Sequence, residues 1–414
     1  MPQICLYFQL HQPYRLDEFN VFDLGKKQAY FSRANKQNQA GNIQVFQKVA
    51  QKSYLPMLRL LNEVADEFDQ FVFALSASGI FLEQAEKLEP EIIELIKRLL
   101  DKGSLELLSE TYYHSLSFLK SEREFIDQIR FHSQKIEKIF NVKPAVFRNT
   151  ELIHSNDLVE LLLDSKLEFK GILTEAVDRY LDGQKRTQLF RTPEKNHQTV
   201  PLLLKHAQLS DDIAFRFSNP SWQWHPLTVD RYLDWVEIYP ENEIVNLFMD
   251  FETFGEHQWE DTGIFDFFHH FVKQFLTKDW NKFVMPSQIF DEVATSSEEE
   301  KKTATKLEKL PVYDVPDYIS WADIDRDLTA WVGNQLQADA LRKLFDLEEK
   351  VLASKDQQII EDWRKLQTSD HFYYMCTKWS ADGDVHAYFS PYDSPLEAYR
   401  RYSIVLADLE ERLL

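Results

Sequence analysis

Ile244-Val245-Asn246-Leu247-Phe248-Met249-Asp250-Phe251 is an apolar run interrupted by Asn246 and carrying Asp250 at its end, and Glu252, Glu256 and His257 follow it. A short run rich in Ile, Val and Phe reads as a buried strand. Ending such a strand in a charge costs burial unless the charge lines a cleft. The same arrangement recurs along the chain. The run 4–10 is followed by His11-Gln12-Pro13, the run 105–108 by Glu110, Tyr112, Tyr113 and His114, and the run 145–147 by Arg148, Asn149, Glu151 and His154. Further apolar runs stand at 71–75, 169–173 and 213–217, with a weaker one at 283–285, and helical patterns such as 91–100 and 124–139 lie between them. Strand, helix, strand at this spacing predicts βα units and a parallel sheet. Seven or eight strands over roughly 290 residues favour a barrel with long βα loops over an open sheet. In such a barrel the functional side chains sit at the C-terminal strand ends. Four of those ends deliver carboxylates or imidazoles toward one rim.

Composition narrows the class of function. The chain has 414 residues, a net charge of −21 and a pI near 5.0, with no basic stripe. A nucleic-acid reader or a ligand of anionic membranes is therefore not expected. Only 10 glycines occur, and neither G-x-G-x-x-G nor a P-loop spacing is found, which weakens a dinucleotide or nucleotide reading. Cys5 and Cys376 sit singly in apolar runs, so neither a disulfide framework nor a paired-Cys metal site is expected. The first residues lack a basic n-region, and no apolar stretch approaches the ~18 residues of a membrane span. The expectation is a cytoplasmic protein. The length suits one large barrel, residues 1–291, a polar Ser/Glu/Lys-rich insertion or linker, 292–310, and a helical region, 311–414. In that last region Ser320 reads as an N-cap, with Ile324, Leu328, Trp331 and Leu336 at helical spacing. Further helices are expected at 341–352, 357–367 and 396–413.

Paired carboxylates at a barrel rim serve as nucleophile and acid/base in retaining glycoside hydrolysis, one ionised and the other protonated. Glu151 and Asp250 are the candidates. His11, beside Gln12 and Pro13, fits three roles: metal ligand, partner of a sugar hydroxyl, or satisfied core histidine. Adjacent His269 and His270 point in different directions on a helix, and neither H-x-H nor H-E-x-x-H occurs, so no metal signature is present. Trp222, Trp224 and Trp259 are candidates for stacking on sugar rings.

Taken together, these motifs resemble glycoside hydrolase family 57, the family of α-amylase-like and 4-α-glucanotransferase enzymes. His11-Gln12-Pro13 is similar to the family's first conserved region and Glu106 through Leu116 to its second. Phe147-Arg148-Asn149-Thr150-Glu151-Leu152 is similar to the third, and Met249 through His257 to the fourth. Trp321-Ala322-Asp323 through Asn334 resembles the fifth. Tyr-Tyr-His in the second region, Glu-Thr-Phe-Gly-Glu-His in the fourth and the segment from His371 to Phe389 resemble the short α-amylase subgroup. The resemblance implies an incomplete (β/α)7 barrel with a helical region beyond it, and a double displacement on α-1,4-linked glucans. Glu151 would be the nucleophile and Asp250 the general acid/base. His11, Gln12, Glu110, His114, Glu252 and His257 would contact sugar hydroxyls or orient the nucleophile, and Trp222, Trp259 and Trp321 would be stacking platforms. No metal or organic cofactor is implied, and the oligomeric state stays open. The alternatives are a 4-α-glucanotransferase, a catalytically weak glucan-binding homologue, and a metal-dependent deacetylase or mannosidase with His11 and Asp250 as ligands.

Overall fold

The computed structural model describes residues 3–26, 29–31, 41–240, 243–294, 305–378 and 390–414. Nine strands are described: β1 Gln3–Leu10, β2 Phe73–Ala77, β3 Leu105–Leu107, β4 Val146–Arg148, β5 Gly171–Thr174, β6 Phe190–Arg191, β7 Pro201–Leu204, β8 Ile244–Asp250 and β9 Lys282–Phe283. One sheet runs β3-β2-β1-β8, with β9 also paired to β1, and the other runs β4-β5-β7-β6. All pairings are parallel except β6 with β7. Hydrogen bonds cross between the sheets at two seams. Ser109, just beyond β3, bridges Phe147 of β4. On the other side the His206 amide donates to the Asn246 carbonyl at 2.8 Å, and Asn246 Nδ2 donates to the Leu204 carbonyl at 2.8 Å.

The two faces of β1 explain its sequence. Ile4, Leu6, Phe8 and Leu10 pack into a core shared with the helices Leu55–Glu67, Gly79–Leu88 and Pro90–Asp101. Alternate residues Cys5 and Tyr7 join a smaller cluster with Ala74, Val146, Leu173, Leu203 and Phe248, drawn from β2, β4, β5, β7 and β8. A strand buried on both faces must be apolar on both, as parallel strands are. A third core joins Phe147, Ile172 and Leu202 to Trp331, Leu341, Trp363 and Tyr402, so the C-terminal helices share their apolar interior with the second sheet.

Several expectations are corrected. Residues 213–217 form no strand: Ile213 lies in the last turn of the helix Ala207–Ala214, where it repeats the buried position of Leu209 one turn earlier. The strand in this region is β7, whose Pro201 sits at the first position, where a missing N–H is tolerated. Ser320 does not cap a helix. Its hydroxyl donates to the Asp327 carbonyl at 2.6 Å, and Asp323 and Arg326 adopt left-handed backbone, so 321–328 is a loop and Ile324 stands 87% exposed. Helix resumes at Thr329–Val332 and Gln335–Asp346. The helix expected at 341–352 is two, broken at Leu347 between Gln335–Asp346 and Glu348–Ser354. The helices expected at 357–367 and 396–413 are Gln357–Lys365 and Pro395–Glu411. Of the polar stretch 292–310, residues 295–304 lie outside the described residues, as do 379–389 of the segment ending at Phe389.

The loop after β8 closes through a glycine. Gly255 has φ +103°, and its amide donates to the Gln258 carbonyl at 2.8 Å. A Cβ there would stand 1.9 Å from the Lys52 carbonyl oxygen. Gly255→Ala is therefore expected to destabilise the fold by about 2–4 kcal/mol and to lower Tm by several degrees in a thermal melt.

Candidate active site

The parallel register carries polar side chains up the inner face of β1. Gln9 lies opposite Asp250 of β8, so the two side chains share a face. Gln9 Nε2 approaches Glu110 Oε2 at 3.4 Å and His114 Nδ1 at 3.2 Å. Glu110 follows β3, and His114 turns back over it with φ +51°. His114 Nδ1 stands 3.1 Å from Glu110 Oε2, and its Nε2 stands 3.2 Å from Glu151 Oε1. One imidazole thus bridges two carboxylates. Trp321 Nε1 donates to the other Glu151 oxygen at 2.6 Å, and the Ser369 hydroxyl donates to Oε1 at 3.4 Å.

Burial opposes charge on all three bridged groups, and the hydrogen bonds overcome it. His114 is raised to about 9 by its two carboxylates. Glu110, for which burial alone would raise the pKa, is held at about 2 by His114 and by the Arg148 charge 3.6 Å away. Glu151 is lowered in the same way by His114 and the Trp321 indole. Both Glu151 and Leu152 have left-handed backbone, φ +56° and +49°, a conformation that costs roughly 1–3 kcal/mol per residue and clusters at functional sites.

Asp250 is in the opposite condition. Burial and then the Glu151 carboxylate push it up to about 7, while Lys205, Arg148 and His114 pull the other way. Glu252 is raised to about 8 by burial and by Asp250, against a 2.8 Å hydrogen bond donated by Tyr54. Gln12 supports that tyrosine, donating to its hydroxyl at 3.1 Å while accepting from Arg15 at 2.7 Å. His11 stacks on His114 with ring centroids 4.1 Å apart. Burial and the His114 charge lower its pKa, so one tautomer follows: Nε2–H donates to Asp370 at 3.0 Å and Nδ1 accepts from Ser78 at 2.8 Å.

The Glycosyl hydrolase family 57 model matches residues 5–310. The chain belongs to glycosyl hydrolase family 57. A relative from Methanocaldococcus jannaschii, provisionally named an alpha-amylase, is 36% identical over 418 residues, covering 98% of this chain and 84% of its own. The family 57 branching enzyme of Thermococcus kodakaraensis superposes with a TM-score of 0.67 at 13% identity, over the whole of this chain and 90% of that one. The 4-alpha-glucanotransferase of Thermococcus litoralis gives 0.57 at 15% identity, over 92% of this chain. This chain spans about half of that enzyme, 53%. These two structures share the fold.

Within this family 57 chain, the structure brings Glu151, Asp250, His11, Glu110, His114, Trp321, Gln12 and Glu252 into one connected constellation. Trp321 enters it as a hydrogen-bond donor to Glu151. His257 is bound through its backbone amide to the Glu252 carbonyl at 2.9 Å, and burial lowers its ring to about 4. Trp259 is 55% exposed, with Lys52 Nζ 5.4 Å from its ring. Trp222 stands beside a separate cavity with Trp224 and Trp235. Sequence reasoning missed Lys205, Asp211, Glu175 and Arg326. Lys205 and Glu175 directly follow β7 and β5, so the strand-end rule would have found Lys205 had β7 been read. Lys205 pairs with Asp211 at 3.0 Å, and Arg326 reaches Glu175 at 3.0 Å, Asp211 at 3.2 Å and the Trp321 carbonyl at 2.6 Å. Asp370 also carried no sequence signal. Among the described residues no cluster of three His, Cys, Asp or Glu forms a metal site.

Stability should follow these shifts. A group raised on folding stabilises fully below its unfolded pKa and loses that contribution as pH rises through its folded value. His114 near 9, Asp250 near 7 and Glu252 near 8 all act in this sense. Glu110, held near 2, acts oppositely and is lost only as pH falls from its ordinary 4.5 toward 2. The buried His154, His206, His257 and His371, lowered to about 3 or 4, also act oppositely and add stability as pH rises to about 6.5, so Tm is expected to decline only from about pH 7 to about pH 9. Glu252→Gln should flatten the part of that decline below pH 8, and an unchanged slope in calorimetry would show that Glu252 does not titrate there.

Proposed function

We propose that this chain is a retaining glycoside hydrolase of α-1,4-linked glucans, with Glu151 as nucleophile and Asp250 as general acid/base. One observation carries the reading: the same pocket holds one carboxylate down and pushes its neighbour up to about 7. Double displacement requires that asymmetry. Glu151 attacks the anomeric carbon while Asp250 protonates the departing glycosidic oxygen. The covalent glucosyl ester removes the Glu151 charge, Asp250 loses the repulsion that, after burial, raised it most, and it then takes a proton from the attacking water. His114 and Trp321 hold the nucleophile between attacks, and His11, locked as one neutral tautomer between Asp370 and Ser78, backs the His114 ring.

The architecture that suits this reading is an incomplete (β/α)7 barrel of β1, β2, β3, β4, β5, β7 and β8 over residues 1–291. The hydrogen-bonded seams and the interior cluster drawn from both sheets support it. The region 311–414, beyond the 292–310 linker, completes the cleft by supplying Trp321, Ser369 and Asp370. A neutral α-glucan is compatible with the net charge of −21, which gives no attraction to nucleic acid. No helix among the described residues is long and apolar enough to cross a membrane, and a cytoplasmic location accords with the buried free thiols of Cys5 and Cys376.

Glu151→Gln is expected to cut turnover of an activated α-glucoside by several orders of magnitude with unchanged circular dichroism; near-wild-type turnover would remove Glu151 from this role. NMR of the first-formed product should show the α-anomer, and a β-anomer would mean inversion. On maltoheptaose, oligomers longer than the substrate would report transfer to a sugar acceptor. The alkaline limb of kcat/KM should fall near pH 7 as Asp250 loses its proton, with activity rising toward the acid side until Glu151 is protonated.

A further inference from the structure

The helix Ala207–Ala214 carries two consecutive aspartates that face different surroundings. Asp211 joins Lys205 and Arg326 beside Trp321. Asp212 lines a cavity of about 550 Å³ bounded also by Trp222, Trp224, Trp235 and Tyr239. None of the residues lining this cavity belongs to the constellation around Glu151. His206, the neighbour of Lys205, lines it too and fixes Tyr239 through a 2.7 Å hydrogen bond. The cavity therefore lies across one helix from the catalytic constellation.

Its chemistry is amphipathic. Trp222 and Trp224 both meet Trp235 edge to face, at 70° and 72°. Arg231 lies 5.3 Å from the Trp224 ring, yet 41% of that residue remains exposed. Ile238, on the same cavity, is 73% exposed. Apolar surface of this kind is normally covered by something. The polar part is equally specific. Asp212 is 2% exposed; Arg216 Nε binds its Oδ1 at 2.6 Å, while Oδ2 is buried and has no hydrogen-bond partner among the described residues. A buried acceptor without a partner, on a residue that lines a cavity, is satisfied by a donor that reaches it. Arg216 already balances the Asp212 charge, so the cavity offers aromatic faces and the polar side chains of Gln223, Tyr239 and Asp212 without a net charge to neutralise. A neutral ligand with C–H faces and O–H donors satisfies both parts, and a carbohydrate is that chemistry.

We propose that this groove is a second, non-catalytic binding site for α-glucan, which holds a polymer chain while another stretch of it occupies the Glu151–Asp250 site. The inference rests on the glucan reading above, and the test separates the two. Wild type, Trp224→Ala and Asp212→Asn are compared by affinity electrophoresis through glycogen-containing gels, and by turnover of an activated monoglucoside that is too short to span both sites. The dissociation constant for glycogen should rise about tenfold in Trp224→Ala and several-fold in Asp212→Asn, with monoglucoside turnover unchanged. Wild-type retardation by both variants overturns the groove and leaves the catalytic reading standing. Wild type that hydrolyses the monoglucoside without being retarded by glycogen overturns the groove as well. Wild type that does neither overturns both readings. A shift of Trp224→Ala to a smaller species in size-exclusion chromatography, with retardation unchanged, assigns the surface to a second copy of the chain and overturns the proposal.

Discussion

A carboxylate cannot stay ionised in a water-poor pocket without a cation to hold it, and His114 is the cation on which Glu151 depends. Burying a lone charge costs far more than a single hydrogen bond returns. The structure meets that cost with a chain: Glu110 charges His114, His114 charges Glu151, and Arg148 stands 3.6 Å behind Glu110. Two anions and two cations then share one interior with no excess charge. Removing any one of them leaves a buried charge uncompensated, which is the expensive error in such networks. The stacking of His11 on His114 is a further consequence, because two imidazolium rings 4.1 Å apart would repel, so His11 must remain neutral.

Geometry bends to this electrostatic chain. His114, Glu151 and Leu152 all take left-handed backbone, and the surroundings hold them there. Thr111 Oγ1 meets Thr150 Oγ1 at 2.9 Å and accepts from the Ser115 amide, tying the two turns together. The Trp321 amide donates to the Glu151 carbonyl, and the Ser369 amide donates to the His114 carbonyl. The last two contacts come from the region beyond residue 310. That region is thus no passive appendage: the nucleophile candidate is gripped by side chain and backbone from both parts of the chain.

How much of this was legible in the sequence depended on whether the signal was local. Strands that end in a charge announced themselves, so Glu110, Glu151 and Asp250 were found from the apolar runs before them. β7 was overlooked because Pro-Leu-Leu-Leu is short and opens with a residue uncommon in strands, and the neighbouring Ile213 run, though helical, looked more like one. With β7 went Lys205. The loop 321–328 was misread because Ile324, Leu328 and Trp331 keep helical spacing, while what breaks the helix is distant. Arg326 is drawn to Glu175 and Asp211, residues more than a hundred positions away. The partnership of Trp321 with Glu151, separated by 170 positions, had no local trace either. Resemblance to a family supplied the residue, and only the fold supplied its hydrogen bond.

The two cations that sequence reasoning left without a role complete the electrostatic logic. Arg148 is fully buried, and none of its side-chain nitrogens makes a hydrogen bond among the described residues; Lys205 is 4% exposed. Their charged ends lie 5.7 and 5.2 Å from the Trp321 ring, and both lower the pKa of Asp250. In the free site the Glu151 charge and burial outweigh them, so Asp250 keeps its proton. In the proposed reaction the ester on Glu151 abolishes that charge and leaves burial alone to oppose the cations at Asp250. Its pKa must then fall, at the step where a base is needed. An arginine bound tightly to a carboxylate would be spent on it, whereas a guanidinium without hydrogen bonds acts through its charge alone, which persists through both halves of the cycle.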